Sequence, residues 1–492
     1  MIYKEAIEDA ISMYELPSGW SDGLLKEAAL AASKQKTGKH RKNITDMPFA
    51  TIDGADAKDF DDAIYCKKNE NGYLLYVAIA DVSYYVSPNS PLDKEAKKRG
   101  TSIYFPDTVV PMLPEELSND VCSLRPDEER CSVVCEMNLN HRGEKQGFKF
   151  FSGLIKSQAR LTYAQVEGHL DKKEILQKSP VQESIDHLET LNALRLTLRK
   201  QRRALEINPT EPSLELNAEK EVTNIQIAKP LKANKLVEEA MLLANESAAE
   251  FMQERFGFGV FRIHDEPDPT KLETLKNYFK MPHKLAKESS PLQSINWCLQ
   301  KAHELKDDTG QILVLQTLPR AEYSTNNLGH FGLQLDQYAH FTSPIRRYPD
   351  LLVHRMISKS LFDQKNSVSQ GELQEDCESS SILERRAEKA SRQVTQVLIC
   401  SYLKNKIGSV VEGTITGVTD FGLFVNLEEY FISGLLHVSD LPEDRYQYFQ
   451  EHAALKGKRK GKIFKLGHKI SVKITAISPL QRKINLVIAN GK

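Results

Sequence analysis

Paired cysteines are the first thing missing from this sequence. Its seven cysteines, Cys66, Cys122, Cys131, Cys135, Cys298, Cys377 and Cys400, form no CxxC pair, and their number is odd. This spacing argues against a zinc module and against a disulfide framework, and it points to a reducing cytoplasm. Long apolar runs are also missing. No stretch approaches the roughly 18 apolar residues of a membrane span, and the first residues carry no signal-peptide core, so no membrane partner is expected. Nor does one sign of charge dominate: 66 Lys and Arg stand against 67 Asp and Glu, a net charge of -1. That balance conceals an uneven distribution. Lys34-Gln35-Lys36-Thr37-Gly38-Lys39-His40-Arg41-Lys42 is basic, and so is Lys456-Gly457-Lys458-Arg459-Lys460-Gly461-Lys462, with Lys465 and Lys469 beyond it. Such runs usually form solvated loops, but they can also serve a polyanion on a chain of neutral overall charge.

What is present suits a soluble globular protein: 492 residues, 40% hydrophobic and 27% charged, enough for two to four domains. Residues 1–48 read as a helical and basic segment, with Ala6, Ile7, Ala10, Ile11 and Tyr14 on one helical face. From Phe49 the pattern turns to strands. Tyr73–Ala80 is a buried strand paired as a hairpin with the strand at Ala63, across the turn Asn69-Glu70-Asn71-Gly72. Cys131–Leu139 reads as another strand. Helices are expected over 161–169, over 181–203 with the stripe Leu188, Leu191, Leu194 and Leu198, and over 235–251 with Leu236, Ala240, Leu243, Ala244 and Ser247 along one side. Residues 364–381 are the least ordered by composition. A linking helix over 382–406 follows, and after Ile407 about five short strands fit a small OB-type barrel.

Four aspartates in one turn carry the chemistry: Asp53, Asp59, Asp61 and Asp62, within Thr51-Ile52-Asp53-Gly54-Ala55-Asp56-Ala57-Lys58-Asp59-Phe60-Asp61-Asp62. The turn sits between the apolar stretches Phe49–Ile52 and Ala63–Tyr65, which places carboxylates at a core edge. Like charges held this close in a low dielectric repel one another and call for a cation. Hard oxygen ligands suit Mg²⁺, with Mn²⁺ as the alternative, and such an ion can activate water and neutralise a phosphoryl group. Far along the chain, Tyr338-Ala339-His340-Phe341-Thr342-Ser343-Pro344-Ile345-Arg346-Arg347-Tyr348-Pro349-Asp350 holds two arginines between two prolines. A guanidinium fork matches two phosphate oxygens, which makes Arg346 the counterpart of the aspartates; Arg347 either joins it or pairs structurally.

These two segments, with Tyr104-Phe105-Pro106, Pro111-Met112-Leu113-Pro114, Leu117-Ser118-Asn119, Cys122-Ser123-Leu124 and Gly329-His330-Phe331-Gly332-Leu333, resemble the ribonuclease II/R (RNB) family, nearest its ribonuclease R branch. The likeness runs from about Asn43 to the end. It implies an α+β fold: an RNB catalytic domain of mixed sheets surrounded by helices over 49–381, the linking helix, and an S1 RNA-binding domain over 407–492. It implies a processive 3′-to-5′ exoribonuclease that releases nucleoside 5′-monophosphates in RNA turnover. Its substrate would be single-stranded RNA or RNA with a 3′ overhang. On this likeness Asp53 and Asp62 hold Mg²⁺ with Asp59 in the same shell, Asp61 positions the scissile end or a second metal, and Arg346 stabilises the departing oxyanion. Tyr104 packs on the terminal bases, Tyr163 and Glu239 sense the ribose 2′-hydroxyl, and Arg347 contacts RNA. His330, His340 and His354 are read as hydrogen-bonded structural histidines. A monomer is expected, with the ribosome or RNA-decay factors as further partners. A non-catalytic RNA-binding adaptor of the same fold is the alternative, and a metal-dependent endonuclease or DNase is a third reading.

The pattern departs from the family in two places. Ile207 stands where a stacking phenylalanine is usual. The roughly fifty residues before Asp53 do not read as the family's cold-shock barrels, so a short form or a piece of a longer chain is expected. At the other end, Gly413–Val425 and Gly434–Ser439 resemble an S1-type domain, with Phe421, Phe424 and His437 as the face expected to stack on single-stranded bases.

Overall fold

The computed structural model describes residues 2–34, 40–176, 179–207, 212–227, 230–362, 369–442, 444–449 and 454–489. Part of the first basic run, 35–39, lies outside them. The main sheet has seven strands: β1 (Lys42–Asn43), β2 (Ala50–Asp53), β3 (Asp62–Asn69), β4 (Gly72–Ala80), β5 (Glu129–Leu139), β6 (Lys145–Lys156) and β7 (Ala159–Thr162). Their order is β1-β6-β5-β4-β3-β2-β7. Only the two edge pairings, β1 with β6 and β2 with β7, are parallel. The expected hairpin is β3–β4, antiparallel from Asp62 opposite Ile79 to Asn69 opposite Gly72. Ala78, Ile79, Ala80, Val133, Val134 and Cys135 are all but fully buried, which is why these strands read as continuous apolar runs. All seven cysteines are buried and none is in a disulfide.

Helices α1 (Ile2–Met13) and α2 (Asp22–Ala32) precede the sheet; α3 (Tyr163–Leu170), α4 (Ser179–Gln201) and α5 (Lys232–Phe256) follow it. The helix expected from Leu161 begins at Tyr163 instead. Leu161 lies in strand β7, and Thr162, the last residue of that strand, caps the helix in a reciprocal capping box with Gln165. On α5 the stripe Leu236, Ala240, Leu243, Ala244 and Ser247 is buried as expected. Helix α6 (Tyr348–Leu361) carries Pro349 in its first turn, where the missing N–H costs nothing.

The linking helix is longer than its composition suggests. Helix α7 runs Gln370–Leu403, capped by Ser369, so the polar stretch expected to be least ordered is helical from Gln370. Leu373, Cys377 and Ser381 recur every fourth residue and are buried, a periodicity that the surrounding Glu and Ser residues obscure. Residues 363–368 lie outside the described set.

Beyond α7, strands β8 (Val410–Val418), β9 (Gly422–Leu427), β10 (Ile432–His437), β11 (Lys469–Ser478) and β12 (Lys483–Ile488) close a five-stranded barrel. A three-stranded sheet, Tyr446–Phe449, Ala454–Gly457 and Ile463–Lys465, is inserted between β10 and β11. Sequence reading did not separate it from the barrel.

Phe341 ties the core to the segment that carries the arginines. Its ring stacks on His354 at 4.6 Å and meets Phe150 edge-on. Its N–H donates to Asn245 Oδ1 at 2.8 Å, and its carbonyl lies 2.8 Å from His354 Nε2. Phe341→Ala should lower the unfolding free energy by about 3–5 kcal/mol in denaturant melts. A loss below about 1 kcal/mol would show that this ring is not a core anchor.

Candidate active site

Strand β2 ends at Asp53 and strand β3 begins at Asp62, so the turn between two core strands delivers the carboxylates to one rim. The turn is fastened from outside. Ser123 Oγ accepts the Phe60 N–H at 2.9 Å and donates to the Lys58 carbonyl at 2.8 Å, and the Leu124 N–H donates to the Phe60 carbonyl. The Cys122-Ser123-Leu124 motif is thus a clasp for the aspartate turn. Arg160 holds the other side by donating to the Gly54 carbonyl at 2.9 Å and to that of Ala55. Sequence reading missed Arg160, because its place depends on the parallel pairing of β7 with β2, where Thr51 lies opposite Arg160.

Asp61 is 4% exposed. Its Oδ1 accepts the Ile345 N–H at 2.9 Å and its Oδ2 lies 3.4 Å from Arg346 Nε. Arg346 in turn donates to Ser343 Oγ at 2.8 Å. The Arg346 carbonyl accepts from the Ser102 N–H and the Thr101 hydroxyl, which joins it to the hairpin bearing Tyr104. Tyr104 is exposed and its hydroxyl donates to Asp59 Oδ2 at 3.2 Å. A cavity of about 520 Å³ brings these groups together: Asp53, Asp59, Asp61, Asp62, Tyr104, Tyr163, Arg346 and Arg347 all line it.

The electrostatics show how poorly the site tolerates bare negative charge. Burial, then the Asp59 charge, pushes Asp53 up to about 6, against the pull of Arg160 and Arg346. Burial pushes Asp61 up to about 8 although Arg346 and the Ile345 N–H oppose it. Burial, then Asp53 and Asp61, holds Asp62 well above the ordinary carboxylate range. Tyr163 is pushed up to about 12 by burial and by Asp62 and Asp53, so it remains a hydrogen-bond donor. Among the described residues no three acidic or imidazole groups already converge as a finished cation cage. The donor set nonetheless fits a hard divalent ion: it is all oxygen, and its raised carboxyls would be relieved by added positive charge.

Other residues singled out in the sequence fall elsewhere. Glu239 is 1% exposed and does not line the cavity; Arg199 donates to it at 2.9 Å, and Arg195 lies 4.0 Å away. Its neighbour Glu238 lines the cavity instead, together with Asn234 and Asn245. Helical phase decides between two adjacent glutamates, and a one-residue difference is not visible in sequence. Arg347 reaches the cavity wall but donates to Asp350 Oδ1 at 2.7 Å, an oxygen that also accepts the Ser343 N–H. Ile207 packs with the helical cluster of Leu272, Phe279 and Ile295 and does not line the cavity. His330, His340 and His354 are absent from its lining as well. Burial is the leading cause that lowers all three, His330 to about 3, so each is a neutral packed ring. On the barrel, Phe421, Phe424 and His437 are exposed on the outer face, and the two phenylalanine rings meet edge-on at 6.0 Å.

A carboxyl raised by folding holds its proton more tightly in the native state. Its stabilisation is complete below the unfolded value of about 4 and disappears as pH rises through the folded value. For Asp53 and Asp61 that window runs from about 4 up to 6 and 8. In EDTA the Tm should therefore fall between pH 5 and pH 8. Mg²⁺ should raise it more at pH 8 than at pH 5, and Asp61→Asn should flatten the pH dependence. A pH-independent Tm that ignores Mg²⁺ would contradict these electrostatics.

Comparison with known proteins places this geometry. The RNB domain model matches residues 41–363, and the S1 RNA binding domain model matches residues 404–488. The chain is 37% identical to ribonuclease R of Escherichia coli over 99% of its own length and 62% of that protein. It is 38% identical to ribonuclease R of Thermotoga maritima over 96% of its length and 68% of that protein. It thus spans about three-fifths of the Escherichia coli relative. Among solved structures, the apo form of Mycoplasma genitalium RNase R superposes with a TM-score of 0.94 at 30% identity, covering 99% of this chain and 78% of that one. The same Mycoplasma genitalium protein has been solved in complex with ribose methylated single-stranded RNA. With an aspartate turn clasped at one rim of a cavity, an arginine beside it, a C-terminal five-stranded barrel and these matches, the chain belongs to the RNB family.

Proposed function

We propose that this chain is a processive 3′-to-5′ exoribonuclease that hydrolyses single-stranded RNA, or RNA with a 3′ overhang, to nucleoside 5′-monophosphates. The observation that carries this reading is that the aspartates and Arg346 line one cavity, with Arg346 3.4 Å from Asp61. The RNase R relatives, one of them solved with single-stranded RNA, support it. Seven buried cysteines, none of them in a disulfide, fit a cytoplasmic enzyme.

Asp53, Asp59 and Asp62 would hold Mg²⁺, or Mn²⁺ in its place. A bound ion supplies neutralising charge to the phosphoryl group and acidity to the attacking water. The chain's own groups do the rest. Arg346 is part-exposed and presents its guanidinium to the scissile phosphate, where it stabilises charge on the departing oxygen. Asp61 has its carboxyl taken up by the Ile345 N–H and Arg346, so it acts as a positioning residue that orients both. Tyr104 stands exposed at the rim to pack on the terminal base.

Tyr163 and Glu238 face the ribose. Burial raises the Glu238 carboxyl, but hydrogen bonds from Lys235 and Arg199 outweigh it and hold the group below the usual range. Glu238 is therefore an ionised acceptor, suited to a 2′-hydroxyl that DNA lacks. Glu239 supports it from below through their shared partner Arg199.

Asp61→Asn should cut kcat by about 10²–10³-fold while RNA binding in EDTA is retained, because the change disturbs only the group that stabilises the transition state. An Asp61→Asn enzyme as fast as the parent would refute the site. Ribose sensing has its own check. A single internal 2′-deoxy nucleotide should stall digestion, and Glu238→Gln should lessen that stall. Indifference of both enzymes to the deoxy position would remove the ribose claim and leave the phosphate chemistry standing.

A further inference from the structure

The small sheet inserted in the barrel has two unlike faces. Antiparallel pairing sets Gln447 opposite Lys456 and Lys456 opposite Ile463, and it sets Phe449 opposite Ala454 and Ala454 opposite Lys465. Residues opposite one another share a face. The alternate residues Leu455 and Phe464 are buried in the barrel core, with Tyr446 and Tyr448 packed against them. The other face is outward: Phe449 is 38% exposed, Ile463 46%, and Lys456 and Lys465 are exposed beside them. It combines apolar surface with lysines, whereas a purely solvated sheet face would be polar.

The basic turn at the end of this sheet is built. Asp444 accepts from the backbone N–H groups of Arg445 at 2.7 Å, Arg459 at 2.9 Å and Lys460 at 2.8 Å. Gly457 lies so close to the Asp444 carboxylate that a side chain there would displace it. The Gly457 N–H donates to the Lys462 carbonyl, and the Lys458 N–H to the Arg445 carbonyl. The N–H groups of Lys460, Arg459 and Arg445, with the Arg459 charge, hold the Asp444 carboxyl below its usual range, while Lys458, Arg459 and Lys460 are exposed. Among the described residues none of these three side chains sits in an ion pair within 4 Å. A fold that pins cations together against their own repulsion is relieved by a polyanion.

We propose that this outward face and its basic turn form a second surface for single-stranded RNA, separate from the Phe421, Phe424 and His437 face. Lys458, Arg459 and Lys460 track phosphates and Phe449 takes a base, the pairing of charge with an aromatic that sequence-tolerant strand binding uses. The adjoining loop reaches the catalytic domain, where Gly467 abuts the hydroxyl of Tyr278. The inference rests on the reading of the barrel as an RNA-binding module and adds a site to it.

The test uses the full chain in EDTA, so that no RNA is consumed, with a labelled single-stranded oligouridylate and a matching duplex read by anisotropy across a salt series. K458A/R459A/K460A should weaken single-strand binding at least ~10-fold at low salt and lower the slope of log Kd against log salt by about 2, at about 0.7 per contact. Lys458→Arg with Lys460→Arg should restore the slope, which a merely unfolded turn would not allow. Phe449→Ala should weaken single-strand binding ~5-fold or more with the slope unchanged, and leave duplex binding alone. Parent-like affinity and slope in the triple variant would overturn the inference while the barrel reading stands. So would equal loss of single strand and duplex in Phe449→Ala. If the unmodified chain binds no RNA in EDTA, the barrel reading falls and this site falls with it.

Discussion

Burial of Asp61 against the Ile345 peptide and Arg346 is the constraint around which this molecule is arranged. A carboxylate that is almost fully enclosed survives only if donors surround it, and here they come from a segment some 284 positions away in sequence. That single contact joins the β2–β3 turn to the loop before α6. It fixes the guanidinium of Arg346 at the same rim as the remaining aspartates. The clasp by Ser123, the Arg160 grip on Gly54 and Ala55, and the ties from Thr101 and Ser102 to the Arg346 carbonyl all hold the two sides of this junction in register.

The same arrangement makes the site costly without a cation. Asp53, Asp61 and Asp62 are all pushed up by burial, and the single guanidinium that opposes all three does not restore them to the ordinary range. Strain of this kind belongs to functional sites, where the surrounding fold sustains a charge pattern that local chemistry disfavours. The sheet supplies that support. Strands β4 and β5 are buried on both faces along most of their length, so the turn emerging from β2 and β3 has a rigid base.

Much of this was legible in the sequence, for physical reasons. The strands β3 to β5 announce themselves because a continuously apolar run bounded by turn residues has few other fates, and α5 because its stripe repeats at helical period. The aspartates are conspicuous because four carboxylates at a core edge have no ordinary structural use. The choice between Glu238 and Glu239 was not legible, since it depends on the phase with which α5 meets the cavity. Arg160 was hidden for a related reason: its role comes from a parallel strand pairing that no local pattern reports. The start of α7 at Gln370 was masked by its polar residues, and the inserted sheet at 446–465 by the shortness of its strands, the longest of which has four residues.

The central claim is that the aspartate rim and Arg346 grip the two sides of one phosphate. The most direct measurement is anomalous diffraction from crystals of the chain soaked in Mn²⁺ with a cleavage-resistant phosphorothioate RNA. The account predicts an anomalous peak among the carboxylates of Asp53, Asp59 and Asp62, with the terminal phosphodiester between that peak and the guanidinium of Arg346. Carboxylates turned to solvent, with no peak beside the RNA backbone, would contradict it.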